Sequence, residues 1–280
     1  MEWERVGSPP PTKLVRARET LHHAAQLLAL VGASYLPARA DDSHTSMTWL
    51  DDAQALATEI VDAVRPFRVG LRVRDLTILF LEVSGRDIAV LPLAERTRNE
   101  AIAWLRARVG DAGRDPAAMH TSLHFSIAPH PTDAGAPFDG RDTSPFEELS
   151  RWYANAHALL DARRLEIAGA SEVRCWPHHF DIATLVSLTS GPFKTIGIGM
   201  SPGDASYGEP YFYVTPSPRP TRTLAPLEVG HWHTTDWWGG ALTASDIVAA
   251  PKAADQLALV SRFIDGAFAA LASTRGEMRP

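Results

Sequence analysis

The stretch RCWPHHFDIATLVSL, residues 174–188, decides the fold class because it joins polar, titratable residues to an apolar, β-rich run. Alternate side chains of a strand point to the same face. In that register Phe180, Ile182, Val186 and Leu188 form the face that we predict to be buried. Further β-rich runs follow in the chain, so this stretch is predicted to be one strand of an antiparallel sheet.

The same order of elements occurs twice along the chain. In the first half an amphipathic helix from Thr12 precedes β-rich runs within 44–93, and the capping box TRNE at 97–100 begins a second helix. In the second half a helix that opens with SPFE at 144–147 precedes strand-like runs, and a closing helix covers about 251–272. We therefore predict an α+β protein of two similar halves, each an antiparallel sheet flanked by helices. The repetition suggests an internal duplication.

The composition divides the chain into four consecutive segments. Residues 1–11 are polar and proline-rich and are predicted to be a loose leader. Residues 12–110 form the N-terminal α+β half. Residues 111–143 are rich in Gly, Pro, Asp and Thr and form a loop or linker, in which only SLHFSIAP resembles a strand. Residues 144–280 form the C-terminal α+β half, which carries the candidate site.

The totals are typical of a soluble globular protein. Hydrophobic residues make up 45% and charged residues 21% of the 280 residues, so a sizeable core is expected. The net charge of −6 is spread without a basic block, which predicts neither a nucleic-acid partner nor a membrane partner. With one cysteine and no basic segment followed by an apolar run, the expected compartment is the cytoplasm. The totals leave the oligomeric state open.

Two titratable side chains stand beside the predicted core face. If the strand continues back through the histidines, His179 and Asp181 share the opposite face, about 7 Å apart along the strand. Such a pair can share a metal, a water or a substrate proton, and we predict catalytic roles for both. The alternative is structural, an aspartate that orients a histidine through a hydrogen bond. Pro177 can shift the phase of the strand, so His178 is assigned to neither face.

The sequence GHWHTTDWWGG at 230–240 presents a second pair of imidazoles. His231 and His233 are predicted to lie on one side of a strand that neighbours the 178–188 strand, with Trp232 opposite. This spacing offers two imidazoles to one ion. With nitrogen and oxygen ligands and no thiolate, the expected divalent ion is zinc, iron or manganese. The predicted metal ligands are His178, His179, Asp181, His231 and His233.

Between these strands, SPGDASYGEPYFYVTPSP at 201–218 combines turn residues with carboxylates and tyrosines. Glu209 is predicted to be a catalytic carboxylate at the mouth of the site. Asp204 is predicted to contact a ligand, although an aspartate there equally closes a turn by bonding to the backbone. Aromatic rings offer a ring face and a polar atom to a ligand, and they equally fill cores. The predicted ligand-binding residues are Trp176, Asp204, Tyr207, Tyr211, Tyr213, Trp232 and Trp237.

Three blocks, WPHHFDIATL, SPGDASYGEPYFYVTPSP and GHWHTTDW, resemble those of a set of uncharacterised bacterial proteins that carry them in the same order. FDIA and YFYVTPSP are more distantly similar to a bacterial domain-of-unknown-function family. The resemblance covers chiefly residues 145–245 and implies a shared fold and a shared pocket region. It implies no catalytic roles, because that family has no established activity.

Two main classes of function remain open. The first is a metal-assisted small-molecule enzyme in which His179, His231 and His233 hold a metal or move protons, while Asp181 orients or ligates. The second is a non-catalytic module that binds a small molecule in a Trp- and Tyr-lined pocket. A structural or partner-binding protein is a third alternative. The sequence contains no phosphate-binding glycine loop and no GxSxG nucleophile motif.

Overall fold

The structure is a computed structural model of the chain, and it describes residues 2–189, 193–221 and 224–272. The described residues form five α-helices and two antiparallel sheets, of five and six strands, which confirms the α+β prediction. The chain divides into two compact units. The C-terminal unit comprises Met1–Thr12, Arg151–Val173 and Asp181–Pro280, and the N-terminal unit comprises Lys13–Ser150 and Arg174–Phe180.

The N-terminal unit contains the five-stranded sheet, in which consecutive strands are neighbours. Its strands are β1 (Thr48–Leu50), β2 (Ala55–Ala57), β3 (Phe67–Arg72), β4 (Thr77–Glu82) and β5 (Asp87–Pro92). A tight turn joins β4 and β5 in the SGRD region that the sequence predicts. β4 is buried along almost its whole length, whereas β5 is largely exposed at the edge of the sheet.

Two helices accompany this sheet, α1 (Val15–Tyr35) and α2 (Arg98–Asp111). α2 begins with the predicted capping box: the Thr97 hydroxyl accepts a hydrogen bond from the Glu100 amide, and the Glu100 carboxylate accepts one from the Thr97 amide. α1 does not begin at Thr12. A short 3-10 turn at Pro11–Lys13 precedes it, and the helix starts at Val15 without a side-chain cap.

The six-stranded sheet has the order β10-β11-β9-β8-β7-β6. Its strands are β6 (Arg174–Trp176), β7 (Asp181–Ser187), β8 (Thr195–Ser201), β9 (Tyr211–Ser217), β10 (His231–His233) and β11 (Gly239–Thr243). The prediction that the strand with His231 and His233 neighbours β7 is therefore wrong. β10 and β11 form a hairpin that joins the edge of β9, so three strands separate β10 from β7.

Three helices complete the fold: α3 (Ser144–Glu166), α4 (Ala244–Val248) and α5 (Ala253–Ala272). α5 packs against β9 and β11 and buries apolar residues at helical spacing, among them Val260, Phe263 and Ala267. In β7, Ile182 and Val186 are buried as predicted. None of the helices that the structure describes is long and apolar enough to cross a membrane.

The first residues of the chain differ from the predicted loose leader, because they pack into the C-terminal unit. Trp3 and Val6 are buried, at 7% and 1% exposure. The Gln256 side chain accepts a hydrogen bond from the Val6 amide and donates one to the Val6 carbonyl, each at 3.0 Å. The buried Trp3 and Val6 side chains and the hydrogen bonds to Gln256 together hold this segment in place.

The 111–143 segment is mostly irregular, as a linker prediction requires, but it is tied to the sheet of the N-terminal unit. Phe138 is buried and forms a parallel bridge with Ala94. SLHFSIAP, residues 122–129, forms no strand. Half-buried apolar side chains do alternate with exposed polar ones from Leu123 to Ile127, but the backbone pairs with no strand, so the alternation alone misled the prediction.

Residues 174–180 belong to the N-terminal unit although the chain on either side belongs to the other. The backbone of Cys175 pairs with that of Met47. The Arg174 guanidinium donates to the Glu59 carboxylate at 2.8 Å. Burial lowers the pKa of His22 to about 4, and its ring donates to the Pro177 carbonyl at 2.8 Å. Part-buried hydrogen bonds and one backbone bridge therefore anchor residues 174–180 in the N-terminal unit.

Candidate functional site

The candidate site lies on one side of the six-stranded sheet, within the C-terminal unit. α5 packs against β9 and β11 on the other side, where Phe212 of β9 is buried with its ring 6.5 Å from that of Trp152. Because side chains alternate along a strand, Tyr211 and Tyr213 point away from α5. The side that carries these two tyrosines is called the polar face.

His231 and His233 share the polar face, as their two-residue spacing predicts. His231 pairs with Ala241 of β11, and Ala241 pairs with Tyr213 of β9, so the register continues across three strands. His231 is exposed and His233 is half-buried. The hairpin of β10 and β11 thus brings both imidazoles beside the tyrosines.

Trp232 lies on the opposite side of β10 and does not belong to the polar face. Its ring stacks on Trp238 with 4.9 Å between centroids, and its indole N–H donates to the Ala225 carbonyl at 2.7 Å. These contacts give Trp232 a packing role in place of the predicted ligand contact.

Tyr207 links the two histidines. Its hydroxyl lies 2.8 Å from Nε2 of His231 and 3.0 Å from Nδ1 of His233. The other ring nitrogen of His233, Nε2, lies 2.8 Å from the Thr235 hydroxyl. Three hydrogen bonds therefore form a continuous chain of Thr235, His233, Tyr207 and His231, which is called the relay.

Trp237 fixes the middle of the relay by stacking. Its ring lies 4.4 Å from that of His233, with an interplanar angle of 13°, and 5.9 Å from that of Tyr211, at 20°. Near-parallel rings at these distances hold the His233 imidazole in one orientation. Trp237, which was predicted to line a small-molecule pocket, thus contacts His233, which was predicted to bind a metal.

Asp204 organises the loop that carries Tyr207. Its Oδ1 accepts from the amides of Ser206 (2.8 Å) and Tyr207 (3.0 Å), and its Oδ2 accepts from the Tyr211 hydroxyl at 2.6 Å. Burial and this bond to Asp204 raise the pKa of Tyr211. Burial and the charge of Asp204 also raise the pKa of Tyr207. Both phenols therefore remain protonated at neutral pH.

Asp181, at the start of β7, is the second carboxylate on the polar face. The Tyr213 hydroxyl of β9 donates to it across β8. The ring can cross β8 because residue 199 is glycine: a Cβ there would stand 2.5 Å from the Tyr213 hydroxyl oxygen. Asp181 thus contacts a tyrosine of the polar face.

Glu209 was predicted to be a catalytic carboxylate at the mouth of the site, but its contacts are with the start of α4. Its Oε2 accepts from the amide (3.0 Å) and the hydroxyl (2.6 Å) of Ser245, in the first turn of α4. This geometry ties the loop before β9 to α4, which favours a structural role.

The histidines of the WPHHF stretch belong to the N-terminal unit, whereas the polar face belongs to the C-terminal unit. Residues 177–180 form a turn, and Phe180 has a left-handed φ of +60°, so the strand begins only at Asp181. The inference that His179 and Asp181 share a strand face is therefore wrong. His178 and His179 are exposed in the N-terminal unit, with 4.5 Å between their ring centroids. Trp176 is half-buried there, 6.0 Å from His178.

The predicted metal ligands are divided between the two units. His178 and His179 belong to the N-terminal unit, whereas Asp181, His231 and His233 belong to the C-terminal one. Among the residues that the structure describes, no group of three or more His, Cys, Asp or Glu side chains is arranged to hold a metal ion. Within the C-terminal unit the two histidines converge on the Tyr207 hydroxyl.

Two residues of the polar face were missed by the sequence analysis, Gly199 and Thr235. Thr235 follows His233 by two positions, and the HTT sequence was a usable signal for a hydroxyl beside an imidazole. Gly199 carries no such signal, because its importance depends on the Tyr213 ring of the next strand. In the comparisons with known proteins, no protein-family model matches the chain, and no curated protein and no solved structure is found to be similar to it.

Proposed function

We propose that the protein is a small-molecule enzyme whose reaction includes a proton transfer carried by the relay. The observation that carries the proposal is the Tyr207 hydroxyl, which lies within hydrogen-bond distance of a ring nitrogen from each of two histidines. Histidine is the side chain best suited to exchange a proton near neutral pH.

The geometry couples the directions of the three hydrogen bonds in the relay. A phenol donates one hydrogen, so Tyr207 donates to one imidazole and accepts an N–H from the other. If Tyr207 donates to His231, then His233 donates through Nδ1 and accepts the Thr235 hydroxyl hydrogen at Nε2. Reversing one bond reverses all three. A proton taken up at His231 can therefore be passed to the Thr235 end without any group moving far.

The surroundings of the relay support proton transfer through its side chains. The raised pKa of Tyr207 keeps its hydroxyl protonated, so it can donate and accept at once. Trp237 stacks on His233 and keeps its two ring nitrogens aligned with Tyr207 and Thr235. His231, at the exposed end, is the residue that we expect to contact the substrate.

The packing of Trp237 favours this proposal over a non-catalytic Trp-lined pocket. The indole ring stacks on both His233 and Tyr211, so its contacts serve the alignment of protein side chains. A binding module has no need for two imidazoles joined through one phenol.

The proposal is tested by incubating the protein with panels of uncharged esters, lactones and carbonyl compounds in D₂O. Proton NMR then detects hydrolysis and α-proton exchange together. We expect turnover of at least one compound. The rate of that turnover should be roughly a hundredfold lower in Tyr207→Phe, which is the usual contribution of general acid–base catalysis.

Tyr35→Phe is the matched control, because it removes a phenol oxygen that donates one hydrogen bond to the Asp115 carbonyl in the other unit. Its turnover should equal that of the parent protein. Two results would count against the proposal: turnover that survives in Tyr207→Phe, or an absence of turnover although a panel compound binds and raises the melting temperature.

A further inference from the structure

The N-terminal unit contains a cavity of about 440 Å³ that plays no part in the relay. It lies between the start of α1 and the 130–146 segment. Its lining includes His130, Phe146, the cations Lys13 and Arg16, and the carboxylates Glu19, Asp139 and Asp142. The volume is within the range of small-molecule sites.

Part of the cavity wall is apolar and rigid. Phe146 is 3% exposed and Ala17 is 6% exposed. Three prolines, at 131, 137 and 145, also line the cavity, and their fixed φ limits the motion of its rim. An apolar group of modest size can pack against this part of the wall.

The three carboxylates of the cavity already have partners. Glu19 accepts from the neighbouring Arg18 guanidinium at 3.1 Å. Asp142 accepts from the amide (3.1 Å) and the hydroxyl (2.9 Å) of Ser144. Asp139 accepts from the Arg141 guanidinium at 3.3 Å, which lowers its pKa. The acidic side chains are therefore engaged by residues that lie next to them in the chain.

The donors of the cavity are less well satisfied. Within the described residues, the Lys13 ammonium forms no hydrogen bond or ion pair. The Arg16 guanidinium has one loose contact, 3.7 Å from Asp139, and it is 90% exposed. Two cationic groups thus face the cavity with little compensation from the protein.

His130 adds a neutral donor. Its Nδ1 accepts from the Thr132 amide and lies 2.9 Å from the Thr132 hydroxyl, so the ring hydrogen is on Nε2. Stacking on His23, at 4.7 Å, holds the ring. Burial and the neighbouring His23 lower the pKa of His130, so the ring is neutral at pH 7 and donates without adding charge.

We infer that this cavity binds a small organic oxyanion, a carboxylate or a monophosphate. The anionic oxygens take hydrogen bonds from Lys13, Arg16 and Nε2 of His130, while the apolar body packs on Phe146 and the prolines. The unsatisfied groups are donors and the satisfied ones are acceptors, which selects an anion over a cation.

Calorimetric titration of the full chain at low ionic strength tests this site, with benzoate and phenyl phosphate as separate probes. We expect at least one probe to bind at a single site. Lys13→Met and Arg16→Met should each weaken that binding by about two- to fivefold, the effect of losing one exposed charge. His130→Asn should weaken it similarly, because Asn keeps an acceptor for the Thr132 amide and removes the Nε2 donor.

Arg98→Met, which removes a half-buried arginine at the start of α2 in the same unit, should leave the affinity unchanged. If only benzoate binds, or only phenyl phosphate, the result identifies the class of oxyanion and supports the site. The inference is overturned if neither probe binds to folded protein, if neutral benzamide binds as tightly as benzoate, or if Arg98→Met weakens binding as much as Lys13→Met and Arg16→Met do.

Discussion

Tyr213 lies so close to Gly199 that a Cβ on residue 199 would stand 2.5 Å from the tyrosine hydroxyl oxygen and 2.6 Å from its Cζ. The ring of a β9 residue therefore passes over the backbone of β8 and reaches Asp181 on β7. Three strands are linked on the polar face through one phenol. This link exists only because residue 199 has no side chain.

Replacing Gly199 with alanine should destabilise the protein by roughly 1 to 3 kcal/mol, the usual cost of overpacking. The Tyr213 ring must move, and its hydrogen bond to Asp181 is lost. Gly208→Ala is the matched control, since a Cβ at residue 208 has no heavy atom within 4 Å. Chemical denaturation of both variants measures the difference. Equal stabilities for the two variants would show that the Tyr213 ring is not held over Gly199.

Glu59 is predicted to anchor Arg174 to the N-terminal unit. Its carboxylate accepts from Arg174 and from both terminal nitrogens of Arg39, and the hydrogen bond from Arg39 is the largest cause that lowers the pKa of Glu59 to about 2. Glu59→Gln should lower the free energy of unfolding by roughly 1 to 3 kcal/mol, because two guanidinium groups lose a shared counter-charge.

The control for this change is Glu82→Gln, which removes an exposed carboxylate paired with Arg86 in the turn between β4 and β5. That exposed pair should contribute nothing measurable. If Glu59→Gln is as stable as Glu82→Gln, the anchoring role assigned to Glu59 is wrong.

His22 makes stability depend on pH. Burial lowers its pKa from 6.5 to about 4 in the folded protein, so protonation favours the unfolded chain. Its contribution is fully present above pH 6.5 and is lost as the pH falls from 6.5 towards 4, by roughly 3 kcal/mol over that range. Unfolding free energies measured between these limits should decrease more steeply in the parent protein than in His22→Phe.

Phenylalanine is the informative replacement because it keeps a ring to stack on Phe180, as His22 does at 5.2 Å. The Pro177 carbonyl also keeps its hydrogen bond from Gln26, at 2.8 Å. The readout is the slope with pH, which a constant loss of stability does not alter. Parallel slopes for the two proteins would mean that His22 is not buried as a neutral ring.

Local features of the sequence predicted much of the fold. The period of two in IATLVSL predicted a strand, and Ile182 and Val186 are buried in it. The H-x-H spacing placed His231 and His233 on one face, and TRNE predicted the start of α2. Each of these predictions depends on residues that lie within a few positions of one another.

The errors concern features that depend on distant parts of the chain. The position of β10 in the sheet depends on a hairpin joining β9, which the H-x-H motif does not encode. The left-handed Phe180 interrupts the strand alternation one residue before Asp181, and a non-glycine residue gives no warning of that conformation. Because of these two facts, His179 shares no strand face with Asp181, His231 and His233.

The hydrogen positions in the relay test the central claim most directly. Nitrogen-15 NMR of the histidine rings at about pH 8, where imidazoles are neutral, reports which ring nitrogens carry hydrogen. The relay predicts that one of the two nitrogens facing Tyr207, Nε2 of His231 or Nδ1 of His233, is protonated and the other is not. It also predicts that in Tyr207→Phe the protonation of one of these nitrogens no longer determines that of the other. Protons on both nitrogens, or on neither, in the parent protein would contradict proton transfer through Tyr207.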